Sequence, residues 1–102
     1  MNVSNIKDGS DWFSVLQTDK KVQTAVMSLH PGASSGEKPE AHKESDQVLF
    51  VHQGEVTAEI DDDRKTMHQG DVIVIPAGVR HRFTNEGKAE CITFNVYSPP
   101  EY

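Results

Sequence analysis

The chain has one cysteine, Cys91, so neither an intrachain disulfide nor a cysteine-based zinc cluster is available to it. No apolar run approaches the roughly 20 residues that a membrane span requires. Residues Met1 to Asp8 hold no apolar core of the secretory type, which leads us to expect a cytoplasmic location. Positive charge is also scarce. Lys and Arg number 10 against 16 Asp and Glu, a formal charge of −6. Phosphate affinity comes from clustered cations, so nucleic acid is excluded as a partner, and so is an anionic membrane surface. Aromatics make up 7% and all hydrophobic residues 35%, which leaves little to bury. At 102 residues there is room for one domain, spanning 1–102, and for no second core.

Helical periodicity is nearly absent as well. What recurs is a short β-rich run closed by turn residues, the pattern of an all-β sandwich or barrel. Strands are predicted at Phe13–Thr18, Val22–Leu29, Gln47–Gln53, Glu55–Ile60, Arg64–His68, Val72–Ile75, His81–Thr84 and Cys91–Tyr97. Between Glu55 and Ile60 the alternation is clean: Val56, Ala58 and Ile60 on one face, Glu55, Thr57 and Glu59 on the other. Val72–Ile75 is apolar on both faces and is predicted to be a central strand. From His30 to Glu40 the residues Pro31, Gly32, Gly36 and Pro39 interrupt any ladder, so this stretch reads as a long loop of the kind that carries function. Asp61-Asp62-Asp63 is a hairpin turn and not a calcium loop: the sixth and twelfth positions of such a loop are Thr66 and Val72 here.

One segment has a tight grammar. Gly70 opens an apolar strand, Pro76 stops it, Gly78 reverses the chain, His81 starts the next strand, and Asn85 stands at its exit. This resembles the second motif of the cupin superfamily, G-x5-P-x-G-x2-H-x3-N, with every fixed position filled. The first cupin motif, G-x5-H-x-H-x3-4-E-x6-G, is partly kept. Gly36 lies the right distance before His42, and Gln47 the right distance before Gly54, but Glu44 stands where the second His belongs and Gln47 where the Glu belongs. The resemblance runs from about Gly32 to the C-terminal residues. It implies a double-stranded β-helix, the jelly-roll barrel of the RmlC-like cupins, with a barrel core over about 22–97.

The resemblance also implies a divalent metal inside the barrel. Carried over by position, His42, Gln47 and His81 are the expected metal ligands, with Glu44 as fourth ligand or general base. Two imidazoles with an oxygen donor suit Zn, Mn, Fe, Ni or Cu. The expected function is small-molecule binding beside that metal, with a dioxygenase or isomerase as the enzymatic form. A metal-free binding or sensing module, and a structural dimer module with a vestigial pocket, are the alternatives. His30, His52 and His68 have no partner at ligand spacing and read as surface residues, and Cys91 reads as a packing residue. Trp12 and Phe13 are expected to cover an open sheet edge or a subunit contact rather than to build the pocket. A thin core predicts a homodimer, with Phe13, Leu16, Phe50 and Tyr97 as candidate contacts.

Overall fold

All eight predicted strands form in the computed structural model, which describes residues 1–102. They are β1 (Phe13–Thr18), β2 (Gln23–Leu29), β3 (Asp46–Gln53), β4 (Glu55–Ile60), β5 (Asp63–His68), β6 (Val72–Ile75), β7 (His81–Thr84) and β8 (Cys91–Ser98). A single 3-10 turn, Ile6–Asp8, precedes them, closed by reciprocal bonds between Asn5 and Asp8. No helix is long and apolar enough to cross a membrane. The strands make two antiparallel sheets, ordered β1-β2-β8-β3-β6 and β5-β4-β7, as an all-β jelly roll requires.

Period-two alternation decides what faces inward. Met27 and Leu29 of β2, Leu49 and Val51 of β3, Ile75 of β6 and Cys91 of β8 meet Val56 and Ala58 of β4, Met67 of β5 and Phe83 of β7. This is the apolar half of the interior. Cys91 is fully buried in it, and burial pushes its thiol up to about 11, so it behaves as an inert small hydrophobe. The other half of the interior is polar: Gln23, Gln47, Thr93 and Asn95 are all buried.

The His30–Glu40 loop is not free. It lies along β7 and completes the small sheet by isolated bridges, Ser34 to Thr84 and Glu40 to His81. Backbone bonds run between Gly32 N and Asn85 O, Ser35 N and Phe83 O, and in both directions between Glu40 and His81, at 2.8 to 3.1 Å. Arg82 reinforces the seam. It holds the Glu59 carboxylate with Nε and Nη2 and donates from Nη1 to the Glu37 carbonyl at 2.6 Å. Asn85, the last fixed residue of the second motif, is completely buried. Its amide donates to the carbonyls of Leu29 and Ala89 and accepts from Gly87 N, so it staples β2, the end of β7 and the next turn together.

Three expectations change. The β6 strand is an edge of the large sheet and not its centre, with Val72 and Val74 each 61% exposed. Its run is apolar on both faces because Ile73 and Ile75 pack against the core while the two valines continue an apolar outer face. Tyr97 is buried inside the barrel, so it is no surface contact. Trp12 and Phe13 close one wall of an internal cavity instead of covering an outer edge.

Gly78 has φ +85, and a Cβ built there meets nothing within 4 Å. Gly54 has φ +78, but its Cβ would stand 2.5 Å from the Glu90 carbonyl oxygen. Gly78→Ala is therefore expected to cost about 1 kcal/mol, the conformational penalty alone. Gly54→Ala adds a backbone clash and is expected to cost clearly more. Denaturant midpoints check the order, and equal midpoints would refute it.

Candidate functional site

The polar end of the barrel opens into a cavity of about 360 Å³. Its walls come from the loop (Ser35, Gly36, Lys38, Glu40, Ala41, His42), from β1 and β2 (Phe13, Met27), from β3, β7 and β8 (Gln47, His81, Phe83, Tyr97), and from Trp12, Glu101 and Tyr102. The loop seam explains why His42 and His81 converge. Glu40 and His81 exchange both backbone bonds, so their side chains share one face, and His42 follows two residues later on that same face. The His42 carbonyl accepts from Gly78 N at 2.7 Å, which ties the motif's turn to the loop. The two imidazole rings stand 4.9 Å apart, centroid to centroid, tilted by 53°.

Glu44 is not brought to this site. Its side chain is exposed and outside the cavity wall, because Ser45 next to it turns inward and donates to the Pro99 carbonyl. Glu40 is the loop carboxylate that lines the cavity instead. The register of the first motif moves accordingly. With Glu40 at its first His position and His42 at its second, four residues separate His42 from Gln47, within the motif's range, and Ser34 takes the first Gly position. The spacing of the sequence fits this register as well as the one that starts at Gly36, and only the pairing with β7 distinguishes them.

Hydrogen-bond polarity can be followed from the backbone outward. The Met27 carbonyl only accepts, so the Thr93 hydroxyl donates to it at 3.2 Å. The Asn95 amide nitrogen donates to Thr93 Oγ1 at 3.0 Å, and Gln47 Nε2 donates to Asn95 Oδ1 at 2.9 Å. Gln47 must therefore present its oxygen, not its nitrogen, to the cavity. That oxygen lies 3.2 Å from His42 Nε2. On its other side His42 Nδ1 lies 3.4 Å from the Glu101 carboxylate. His81 Nδ1 donates to the Val79 carbonyl at 3.0 Å, which leaves Nε2 as the nitrogen with a lone pair. Burial lowers the affinity of His81 for a proton and the charge of His42 lowers it further, against the opposing effect of the Val79 bond.

The buried Gln23 places Glu101 and Tyr102. Its oxygen accepts from both backbone amides and its nitrogen donates to the Tyr102 carbonyl. Tyr102 then packs against the rings of Phe13 and Tyr97, and burial pushes the Tyr97 phenol well above its ordinary value. Sequence alone offered Tyr97 one signal: it shares a strand face with Cys91, Thr93 and Asn95. It offered none for Glu101 or Tyr102. His30, His52 and His68 are exposed as expected.

The sequence of the cupin domain matches residues 25–97. The uncharacterized protein YrkC of Bacillus subtilis is 28% identical over 102 residues, covering 94% of this chain and 54% of its own length. A germin-like protein of Oryza sativa, 11-1, is 32% identical over 88 residues, covering 81% of this chain and 35% of its own. The chain thus spans about half of the first relative and a third of the second. Among solved structures, BH2720 of Bacillus halodurans superimposes with a TM-score of 0.86 at 26% identity, over 95% of this chain and 76% of that one. A predicted oxalate decarboxylase of Thermotoga maritima superimposes with a TM-score of 0.77 at 22% identity, over 84% and 77%. With the second motif complete, the barrel built as that motif implies and the domain matched over most of its length, the chain belongs to the cupin family.

Proposed function

We propose that the chain binds a small molecule in the cavity between His42 and His81, beside a divalent metal held by His42, Gln47 and His81. The observation that carries this reading is the 3.2 Å between His42 Nε2 and Gln47 Oε1, with the amide oxygen held toward the cavity by Asn95 and Thr93. Two neighbouring ligands of one metal, each bonded at about 2.1 Å, stand roughly 3.0–3.4 Å apart. The bond to Val79 leaves His81 Nε2 as the third donor. These donors fit Zn, Mn, Fe, Ni or Cu in kind. A cation held only by neutral donors binds more weakly than one with a carboxylate in its shell. When bound it supplies Lewis acidity toward a ligand oxygen. Glu40 takes over the acid–base role expected of Glu44, since it is the loop carboxylate lining the cavity. A dioxygenase or isomerase would use these parts, and the likeness to a predicted oxalate decarboxylase supports an enzymatic form at the level of fold.

A metal-free binding module is the second reading. It is favoured because no three His, Cys, Asp or Glu side chains gather at metal-binding distance, and because Glu101 already faces His42 Nδ1.

The two readings separate by thermal shift with each of the five metals. The metal reading expects a rise in melting temperature for the wild type. It expects loss of the rise in His81→Ala, an unchanged rise in His52→Ala, and at least about tenfold tighter binding in Gln47→Glu, where a charged oxygen replaces a neutral one. No rise with any metal, and no metal in the purified protein by elemental analysis, would overturn it in favour of the metal-free module.

A pH dependence follows from His81. The folded chain holds that proton less firmly than the unfolded chain, so the effect is absent above about pH 6.5 and stability falls as pH drops below it. Melting of the apo protein between pH 7.5 and pH 5 should show this decline, and His81→Gln should flatten it. A variant curve parallel to wild type would refute the assignment.

A further inference from the structure

Strand β8 ends at Ser98, and residues 99–102 run on along the cavity, where Glu101 and Tyr102 form part of its wall. They belong to neither sheet and make no backbone–backbone hydrogen bond. Side chains hold them instead. Ser45 Oγ donates to the Pro99 carbonyl at 2.7 Å. Gln23 Oε1 accepts from Glu101 N at 3.1 Å and from Tyr102 N at 2.9 Å, and Gln23 Nε2 donates to the Tyr102 carbonyl at 2.8 Å. Gln23 and Ser45 are buried, whereas Pro99, Glu101 and Tyr102 are exposed. The Tyr102 ring centroid lies 4.8 Å from that of Phe13, 5.2 Å from that of Tyr97 and 6.2 Å from that of His42. With the Glu101 carboxylate 3.4 Å from its Nδ1, the His42 side chain is only 16% exposed.

We propose, on the reading that this cavity is the ligand site, that residues 99–102 are a strap that lifts to let a ligand reach His42 and His81, with Gln23 as its latch. A segment outside the ladders opens at a lower free energy than the strands beside it. Strand β8 is paired on both sides, to β2 and to β3, so the motion stops at Ser98, whose hydroxyl donates to the Lys21 carbonyl at 2.8 Å. Pro99 and Pro100 have no N–H to donate, so the strap cannot prolong the β8 ladder in place of its bonds to the latch. Gln23 and Ser45 hold the strap only through backbone groups at exposed positions. Water replaces those bonds when the strap lifts, and no strap amide is left buried without a partner. Gln23 Nε2 keeps its bond to Thr18 Oγ1 at 2.9 Å, so the latch stays in place while the strap is open. Opening takes the Glu101 carboxylate away from His42 Nδ1 and the Tyr102 ring away from the imidazole. Closing restores both, and the His42 ring is again held between Glu101 on one side and Gln47 Oε1 on the other.

Carbethoxylation of the full chain by diethyl pyrocarbonate, followed residue by residue by mass spectrometry, tests the strap without any ligand. In the wild type His42 is expected to react more slowly than the exposed His52. Gln23→Met keeps the volume but offers the strap amides no oxygen, and losing those bonds is expected to raise the His42 rate about tenfold. Tyr102→Ala is expected to raise it as well. The His52 rate and the far-UV circular dichroism stay as in the wild type. A wild-type His42 that reacts as fast as His52, or a His42 rate unchanged in both variants, would overturn the strap. Should the variants fail to fold, amide exchange of the wild type followed by NMR decides. The Glu101 and Tyr102 amides must exchange more slowly than in an unstructured peptide, yet at least about 100-fold faster than those of Thr93 and Asn95 in β8. Exchange at the rate of either reference would overturn the proposal. The metal thermal shift stays independent of these rates. A shift with an unchanged His42 rate overturns the strap and leaves the site, whereas a raised rate without a shift supports the strap and overturns the metal reading.

Discussion

The backbone seam between the loop after β2 and strand β7 is the constraint on which the site depends. The loop is rich in Pro and Gly and cannot form a strand of its own, yet its amides and carbonyls lie against the barrel and need partners. Strand β7 supplies them along Gly32, Ser35 and Glu40. Each such bond contributes only about 1 kcal/mol net, but an unpaired buried group would cost as much or more. The pairing therefore has one satisfactory register. Because Glu40 and His81 exchange two bonds, their side chains share a face, and His42 inherits that face by alternation. Moving the seam by one residue would turn both Glu40 and His42 away from the cavity.

A second constraint is set by polar groups inside the barrel. Gln47, Thr93 and Asn95 are buried, and every buried side-chain polar atom has a partner. An arrangement of this kind tolerates only one direction of donation, because it begins at a carbonyl that cannot donate. The Met27 carbonyl thus determines, through Thr93 and Asn95, that an oxygen of Gln47 meets His42. In the first motif a carboxylate is the usual occupant of that position. A carboxylate can only accept, so it could not make the bond that Gln47 Nε2 donates to Asn95 Oδ1 and would set a full charge against that oxygen. The amide suits the interior this chain has.

The sheet that carries this polar interior is apolar on its outside. Residues of β3, β6 and β8 alternate between an inner face containing Gln47, Asn95 and Tyr97 and an outer face containing Val48, Phe50, Val72, Val74, Phe94 and Val96. Part of the hydrophobic content of a chain with little of it is thereby placed away from the core. The core then relies on close packing of a few residues such as Leu49, Phe83 and Ile75, and on staples such as Asn85. The ligand cavity takes up the polar end, where packing is not available.

The strands, their turns and the second motif were legible in the sequence because they rest on local chemistry. Period-two alternation, Pro76 as a strand stop and Gly78 at positive φ each act within a few residues. The convergence of His42 with His81 was legible only through family resemblance, since they are far apart along the chain. Which loop carboxylate faces the cavity was not legible. Glu40 and Glu44 both lie two residues from His42, and only the seam with β7 distinguishes them. The edge position of β6 was hidden for a similar reason: an apolar run looks the same whether its second face meets a core or a surface. Glu101, Tyr102 and Trp12 reach the cavity through contacts with Gln23 and Phe13 that have no local sequence signature. The sequence by itself determined where the chain is extended and where it turns; tertiary structure decided which faces meet, because that depends on register between strands distant in sequence.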